Sequence, residues 1–199
     1  MNKIFKSKRN RVWLENGRVH KLILSGVEAA QFETEILEKL FFAGVKVPRL
    51  LVLNKDKLIM EYVKGISLTE EIDRAEAGES CISAGVLAEC ITSWFASFYA
   101  VFPGKIKGDV NCRNFIVTPE ACIYGVDFED LPNGQKEIDA GRMSAFILNY
   151  NPPYTDYKKR LASALIDCFI VSFGVDRELV LREQAREIET MRKRRKNKF

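Results

Sequence analysis

A short hairpin bordered by polar residues constrains this chain more than any other stretch of its sequence. Asn114 is followed by the strand-like run 115–117, and a second such run covers 122–126 after a short turn. Asp109 lies five residues before Asn114, and Asp127 directly follows the second run. The pattern predicts a β-hairpin whose two outer ends carry acids and an amide.

Two explanations fit these polar residues. In the simpler one, Asp109, Asn114 and Asp127 cap a surface hairpin. In the other, oxygen atoms of Asn114 and Asp127 hold Mg²⁺, which prefers hard oxygen ligands, while the Asp109 carboxylate faces an incoming hydroxyl group. Phosphoryl transfer asks little more of a protein, because positioning and charge neutralisation supply most of the catalysis. We therefore predict a phosphoryl-transfer site at this hairpin.

A lysine on an early strand is the next informative residue. Lys21 lies among apolar residues in the strand-like run 18–24. Such a lysine is costly unless its ammonium group meets an anion, and Glu33 follows twelve residues later in a segment with helical periodicity. Glu35 is a rival partner, and a lysine that reaches solvent from an edge strand is the simpler alternative.

Two further segments carry a family resemblance. Residues 43–51 read Ala-Gly-Val-Lys-Val-Pro-Arg-Leu-Leu, and residues 58–65 read Leu-Ile-Met-Glu-Tyr-Val-Lys-Gly. Together with the hairpin they resemble the protein-kinase-like superfamily. The nearest likeness is to its small atypical members, namely the RIO kinases, the kinase subunit of the KEOPS complex and the aminoglycoside phosphotransferases. The resemblance runs from about Val12 to about Leu148.

The resemblance implies an α+β, two-lobed protein-kinase-like fold. A small antiparallel N-lobe sheet with one helix would precede a mainly helical C-lobe. ATP and Mg²⁺ would be the cofactors, with Asn114 and Asp127 as metal ligands and Asp109 as the catalytic base. Lys21, paired with Glu33 as the alignment favours, would position the ATP phosphates as part of the catalytic set.

The resemblance also implies how ATP and the catalytic loop are held. Met60, Glu61, Tyr62 and Val63 would border the nucleotide, and the backbone of residues 61–63 would hydrogen-bond adenine. Asp139 looks like the acid at a helix start that braces the catalytic loop in these folds.

Three departures from the family pattern bear on activity. Residues 7–11 read Ser-Lys-Arg-Asn-Arg where a glycine-rich loop would cover the phosphates, so basic side chains would have to contact them there. The catalytic loop begins with Lys107 instead of histidine, which removes a usual brace and questions the rigidity of the loop. Asp139 follows Asp127 by only twelve positions, which is too short for a long activation segment.

Composition favours one two-lobed unit in the cytoplasm. The chain has 199 residues, of which 47% are hydrophobic, and this suffices for a core. We find no apolar signal region and no apolar run close to the roughly 20 residues that cross a bilayer. The five cysteines predict free thiols, with Cys112 more often a packing residue than a reactive one. His20 is expected to point outward, so no zinc site is predicted.

Positive charge is concentrated at the C-terminal end. The net charge is +4, and the last nine residues hold six lysines and arginines, so the rest of the chain carries −2. Residues 192–198 would suit contact with RNA, or they form a solvated helix end whose cations complement the helix dipole. The first explanation supports a second functional class, a catalytically weak kinase-like interaction module associated with RNA.

The element pattern completes the expectation. Strands are predicted near 3–7, 11–15, 18–25, 50–54 and 57–63, and helices near 27–43, 68–75, 81–102, 136–149, 155–173 and 176–195. We divide the chain into an N-lobe (1–63), a helical C-lobe with the catalytic hairpin (64–190) and a basic tail (191–199). The predicted function is an ATP- and Mg²⁺-dependent phosphotransferase that transfers the γ-phosphate to a hydroxyl group of a small molecule or a protein, without a membrane partner.

Overall fold

Strands dominate the first third of the chain and helices dominate the rest. The computed structural model describes residues 3–5, 7 and 9–196. The strands are β1 (Lys3–Phe5), β2 (Asn10–Glu15), β3 (Arg18–Ile23), β4 (Leu50–Asn54), β5 (Lys57–Glu61), β6 (Ile66–Ser67), β7 (Phe115–Val117) and β8 (Ile123–Gly125). The helices are α1 (Val27–Phe42), α2 (Leu68–Glu76), α3 (Ala84–Val101), α4 (Lys136–Asn149), α5 (Asp156–Phe173) and α6 (Arg177–Lys196), and a 3₁₀ turn covers Cys112–Asn114. The α+β class is confirmed.

The first sheet is antiparallel and has the order β1-β2-β3-β5-β4. Its β2–β3 hairpin turns at Asn16 and Gly17, whose φ angles of 50° and 73° are those a two-residue hairpin turn requires. Helix α1 connects β3 to β4 and buries one face, with Ala30, Ile36, Leu37 and Leu40 in the core. The predicted small antiparallel sheet with one helix is therefore confirmed.

The second sheet is smaller and contains the predicted hairpin. Its order is β6-β7-β8, and β6, which the sequence analysis missed, is only two residues long. Helix α3 packs against α5, and α4 packs against α5 and α6. The centre of this helical part is aromatic, because Trp94 of α3 packs edge-to-face on Phe95 at a centroid distance of 5.2 Å and stacks on Phe98 at 5.4 Å.

The hairpin is anchored to the segment that precedes β4. The indole nitrogen of Trp94 donates to the carbonyl oxygen of Lys46 at 2.9 Å, and the amide of Gly125 donates to the same oxygen at 3.0 Å. A Cβ atom at Gly125 would lie 2.1 Å from the Trp94 ring, so only glycine allows this approach. The contact fixes the hairpin relative to the first sheet, and with it the position of Asp127.

Helix α3 alone, among the described residues, is long and apolar enough to span a membrane by length and composition. The sequence analysis found no apolar run close to this length. In the fold α3 is a core helix, with Leu87, Ile91, Phe95 and Phe98 fully buried. Burial of this kind is typical of the central helix of a soluble protein.

One prediction about side-chain exposure was wrong. His20 does lie on the sheet face opposite to Lys21, but its residue surface is only 9% exposed. Trp13 on β2 covers it, with the two rings stacked at a centroid distance of 5.3 Å. The sequence analysis treated this second face as open to solvent, whereas the aromatic neighbour encloses it.

Several smaller predictions can be compared directly. All five cysteines are free, as predicted. Strands predicted to end at residues 25 and 63 end at Ile23 and Glu61. Lys6, Lys8 and Lys198, which the sequence analysis placed in a strand, the phosphate-covering loop and the tail, lie outside the described residues. The division into an N-lobe, a C-lobe and a tail stays a prediction, and α6 runs continuously from Arg177 to Lys196 across its last boundary.

Candidate active site

A buried lysine lies between two carboxylates. Strand β3 places Lys21 at 5% exposure, and its ammonium nitrogen donates to both carboxylate oxygens of Glu33 at 2.8 Å. The same nitrogen also donates to Oδ1 of Asp127. Glu35, the rival partner, points to solvent. The predicted lysine–glutamate pair is present, and a predicted metal ligand joins it.

The charged state of Lys21 follows from its two partners. Burial favours the neutral amine of Lys21, but the adjacent charges of Glu33 and Asp127 outweigh burial and raise the pKa of Lys21 above its ordinary value. The Lys21 ammonium group therefore pairs with two carboxylates. Because the Asp127 side chain is 32% exposed whereas that of Glu33 is 2% exposed, Asp127 is the accessible carboxylate of the two. A cation would be attracted to that carboxylate.

The backbone at Asp127 has an unusual conformation. Its φ angle is 63°, in the left-handed region that non-glycine residues seldom adopt. The amide of the next residue, Phe128, donates to Oε1 of Glu33 at 3.4 Å, and the Phe128 ring is buried. The turn is therefore fixed on both sides of Asp127, and such conformations persist only where the surroundings impose them.

Lys107 joins the two acidic segments of the site. Its side chain is completely buried, and its ammonium nitrogen donates to the carbonyl oxygens of Asp109, Val126 and Asp127, each at 3.1 Å. The nitrogen also lies 4.8 Å from the centre of the Phe128 ring. Burial lowers the pKa of Lys107 against the raising effect of nearby acids. The prediction that the loop carrying Asp109 lacks a brace was wrong, because Lys107 supplies one.

Asp139 also holds the loop that carries Asp109, as the resemblance implied. It lies in the first turn of α4 with no exposed surface. Its carboxylate accepts hydrogen bonds from the amides of Lys107 at 2.8 Å and Gly108 at 3.0 Å, and from the Tyr99 hydroxyl at 3.0 Å. Burial raises the pKa of Asp139, and these hydrogen bonds oppose the rise. The loop that carries Asp109 is thus fixed by two buried charged side chains.

Asp109 itself is exposed and poorly engaged. Its Oδ1 accepts one hydrogen bond, from the amide of Asn111 at 3.2 Å. The Asn111 side chain accepts from the amide of Arg113 at 3.0 Å and from the Tyr150 hydroxyl at 2.6 Å, which secures the loop beyond the acid. A carboxylate on a fixed loop with open access can receive a proton from a bound hydroxyl group.

The predicted metal ligand Asn114 is turned so that its oxygen is available. Its amide nitrogen donates to the carbonyl oxygen of Asp109 at 3.3 Å, and this hydrogen bond does not use Oδ1. The backbone carbonyl oxygen of Asn114 accepts a hydrogen bond from the amide of Val126 at 2.9 Å. Asn114 is therefore tied both to the Asp109 loop and to the strand that leads to Asp127.

No group of three or more histidine, cysteine, aspartate or glutamate side chains, among the described residues, is placed to hold a metal ion. The predicted ligand pair, Asn114 and Asp127, has one amide and one carboxylate, so it does not meet this definition. Its chemistry still fits Mg²⁺, which takes one or two protein oxygens and keeps waters and phosphate oxygens for the rest.

The predicted adenine-binding segment leaves the sheet two residues before the predicted end of its strand at residue 63. Strand β5 ends at Glu61, whose amide still donates to the Arg49 carbonyl at 3.0 Å. Residues 62–64 have no regular structure before β6, so their backbone groups are outside the strand ladder. Met60 and Val63 are buried, and Tyr62 is 38% exposed.

Two residues of the site escaped the sequence analysis, or were misjudged by it. Lys107 was treated as a missing histidine, and its mixed sequence surroundings gave no signal of its burial. Glu129 was not considered, and it contacts Arg9 and Asn10 at the start of β2.

Cys112 is a packing residue, because full burial raises the pKa of its thiol to about 12.

Comparisons with known proteins add no relative. No protein-family model matches the chain, and a search of curated proteins finds no matching sequence. The resemblance to the protein-kinase-like superfamily therefore stays a prediction from the sequence motifs.

Proposed function

We propose that this protein is an ATP- and Mg²⁺-dependent phosphotransferase of the atypical protein-kinase-like class, working in the cytoplasm. The observation that carries the proposal is the linked arrangement of charges at the hairpin. Lys21 bonds both Glu33 and Asp127, and Lys107 bonds the backbone of both Asp109 and Asp127. A chance surface hairpin with capping acids would not need two buried lysines behind it.

The architecture supports a two-lobed kinase-like fold. A five-stranded antiparallel sheet with one helix between β3 and β4 comes first, followed by an irregular linker at residues 62–64 and a mainly helical remainder. The order of functional residues agrees as well, since the lysine lies on the third strand and its glutamate on the following helix. In this proposal the nucleotide lies beneath the sheet and its adenine ring meets the backbone of residues 61–63.

The oxygens of Asn114 and Asp127 would hold Mg²⁺. When bound, the metal ion neutralises charge on the phosphates and orients them. Asp127 is suited to this because Lys21 engages only its Oδ1 and a third of its side chain remains exposed. On nucleotide binding, Lys21 can exchange this contact for a phosphate oxygen and keep its two hydrogen bonds to Glu33.

The chemical step would take place between Asp109 and the terminal phosphate. The hydroxyl oxygen of the acceptor forms a bond to the γ-phosphorus, and the bond from that phosphorus to the bridging oxygen breaks. The electron pair of the broken bond leaves with ADP, and the hydroxyl proton passes to the Asp109 carboxylate. Fixing Asp109 through Lys107 and Asp139 reduces the reorganisation needed for this transfer.

The alternative of a silent module that binds RNA receives less support. One reason to expect weak activity was the missing histidine of the catalytic loop. That reason no longer holds, because Lys107 braces this loop. Three of the basic residues at the end of α6 are also engaged within the protein. Lys193 contacts Glu189 at 2.7 Å, Arg194 contacts Glu187 at 3.7 Å, and Arg195 donates to the Asn149 carbonyl at 2.9 Å. These contacts support the explanation of a helix end.

Lys21→Met tests the nucleotide site. The variant keeps the length of the side chain but loses the charged donor, so we expect the affinity for ATP with Mg²⁺ to fall about tenfold or more. Lys57→Met is the matched control, because Lys57 pairs with Leu22 on the opposite sheet face and lies over the Trp13 ring. Calorimetric titration of both variants measures the effect, and equal affinities would count against the proposal.

A further inference from the structure

Glu129 holds the start of β2 close to the candidate metal site. One of its carboxylate oxygens accepts from the Asn10 side-chain nitrogen at 2.7 Å, and the other accepts from the Arg9 guanidinium at 3.0 Å. Glu129 is two residues after Asp127, so the turn that presents the predicted metal ligand also carries this anchor. The segment that replaces a glycine-rich loop is therefore attached to the acidic turn.

Asn10 makes the attachment rigid. It is only 7% exposed, and its side-chain oxygen accepts from the amide of Leu24 at 3.2 Å while its nitrogen reaches Glu129. The backbone of Asn10 pairs with Ile23 at the end of the β2–β3 ladder, on the same strand as Lys21. The position of the neighbouring Arg9 relative to Lys21 is thus set by the sheet and by a buried amide.

Arg9 lies in the field of the acids that surround the cleft. The hydrogen bond and the charge of Glu129 raise its pKa, and Asp109 and Asp130 add to the rise. The Arg9 guanidinium is bonded to Glu129, two residues after the predicted metal ligand Asp127. It also feels the charge of the predicted catalytic base Asp109. The terminal phosphate of a nucleotide must lie near both aspartates for transfer to a hydroxyl group held by Asp109.

The contact between Arg9 and Glu129 is suited to exchange. The Arg9 side chain is 81% exposed, and exposed ion pairs of this kind contribute little to stability. A phosphate group carries more charge than one carboxylate, and the planar guanidinium matches two of its oxygens. Asn10 would keep its own hydrogen bond to Glu129 while Arg9 turns to the phosphate.

We propose that Arg9 is a ligand of the terminal phosphate of a bound nucleoside triphosphate, held ready by Glu129. This inference rests on the proposed phosphotransferase function and deepens it, because it assigns to one arginine the role that backbone amides of a glycine-rich loop play elsewhere. It predicts selectivity for triphosphates over diphosphates that depends on a single exposed side chain.

The test is calorimetric titration of the full chain with ATP and with ADP, each with Mg²⁺. For Arg9→Ala we expect about a tenfold loss of ATP affinity and an ADP affinity within about twofold of the unaltered protein. Arg160→Ala is the control, since Arg160 is also exposed but lies on α5, outside the candidate site. It should change neither affinity.

The outcomes separate the two proposals. Nucleotide binding that is unaffected by Arg9→Ala, or that weakens equally for ATP and ADP, would overturn the role of Arg9 and leave the phosphotransferase proposal standing. Failure of the unaltered protein to bind either nucleotide would overturn both. Because Arg9 is exposed, the variant should fold, and an unchanged melting temperature without ligand verifies this.

Discussion

Asp109→Asn is expected to lower phosphoryl transfer by about 10²- to 10⁴-fold while nucleotide affinity stays unchanged. The amide oxygen of the new side chain can still accept the hydrogen bond from the Asn111 amide, now 3.2 Å from Asp109 Oδ1, so the loop should keep its shape. What is lost is the proton acceptor. Because Lys107 and Asp139 hold this loop through its backbone, the variant removes the base without removing its supports.

The effect can be measured before an acceptor is known. Many phosphotransferases transfer slowly to water, so release of ADP in a coupled assay reports the step, and a parallel ATP titration reports binding. Asp73→Asn is a suitable control, because Asp73 is an exposed acid on α2, outside the candidate site. Turnover that matches the control variant would remove Asp109 as the base.

Lys107→Met is expected to lower the free energy of unfolding by about 3 kcal/mol. Two effects oppose each other. Methionine removes the cost of burying an ammonium group, but it takes the Lys107 donor from the carbonyl oxygens of Val126 and Asp127, and each orphaned group costs about 1–3 kcal/mol. The Asp109 carbonyl keeps its hydrogen bond from Asn114. The two orphaned carbonyls together outweigh the relief, and the nearby carboxylates lose a compensating charge.

Denaturant unfolding measures this change. Lys159→Met provides the comparison, because the Lys159 side chain is 59% exposed and its loss should shift stability by less than about 0.5 kcal/mol. Stability equal to or above that of the unaltered protein would show that burial of the ammonium dominates. The buried Lys107 would then destabilise the folded protein instead of bracing the loop.

The sequence was sufficient to predict the helices, most of the strands and the pairing of Lys21 with Glu33. Strong local signals explain this success. Asn16-Gly17 specifies a tight turn, and the apolar periodicity of 27–43 gave a helix that spans Val27–Phe42. The pairing of Lys21 with Glu33, rather than with Glu35, came from an aligned motif and not from periodicity, since both acids belong to the same helix.

The features that the sequence did not predict depend on contacts between distant segments. The role of Lys107 follows from carbonyl groups that come together only when the hairpin folds back, and sequence spacing does not reveal the direction of a carbonyl. The burial of His20 depends on stacking with Trp13 across a strand pair. The contact of Glu129 with Arg9 and Asn10 joins residues about 120 positions apart, which no local pattern could indicate.

A thermal-shift titration with ATP, with and without Mg²⁺, on the unaltered protein and on Asp127→Ala tests the central claim most directly. At ligand concentrations about 100 times Kd, we expect the melting temperature of the unaltered protein to rise by about 5–10 °C when the metal is present. The rise should vanish in Asp127→Ala, in which Lys21 keeps its pairing with Glu33 but the exposed carboxylate is gone. No rise in the unaltered protein, or an equal rise in the variant, would contradict the proposed nucleotide and metal site.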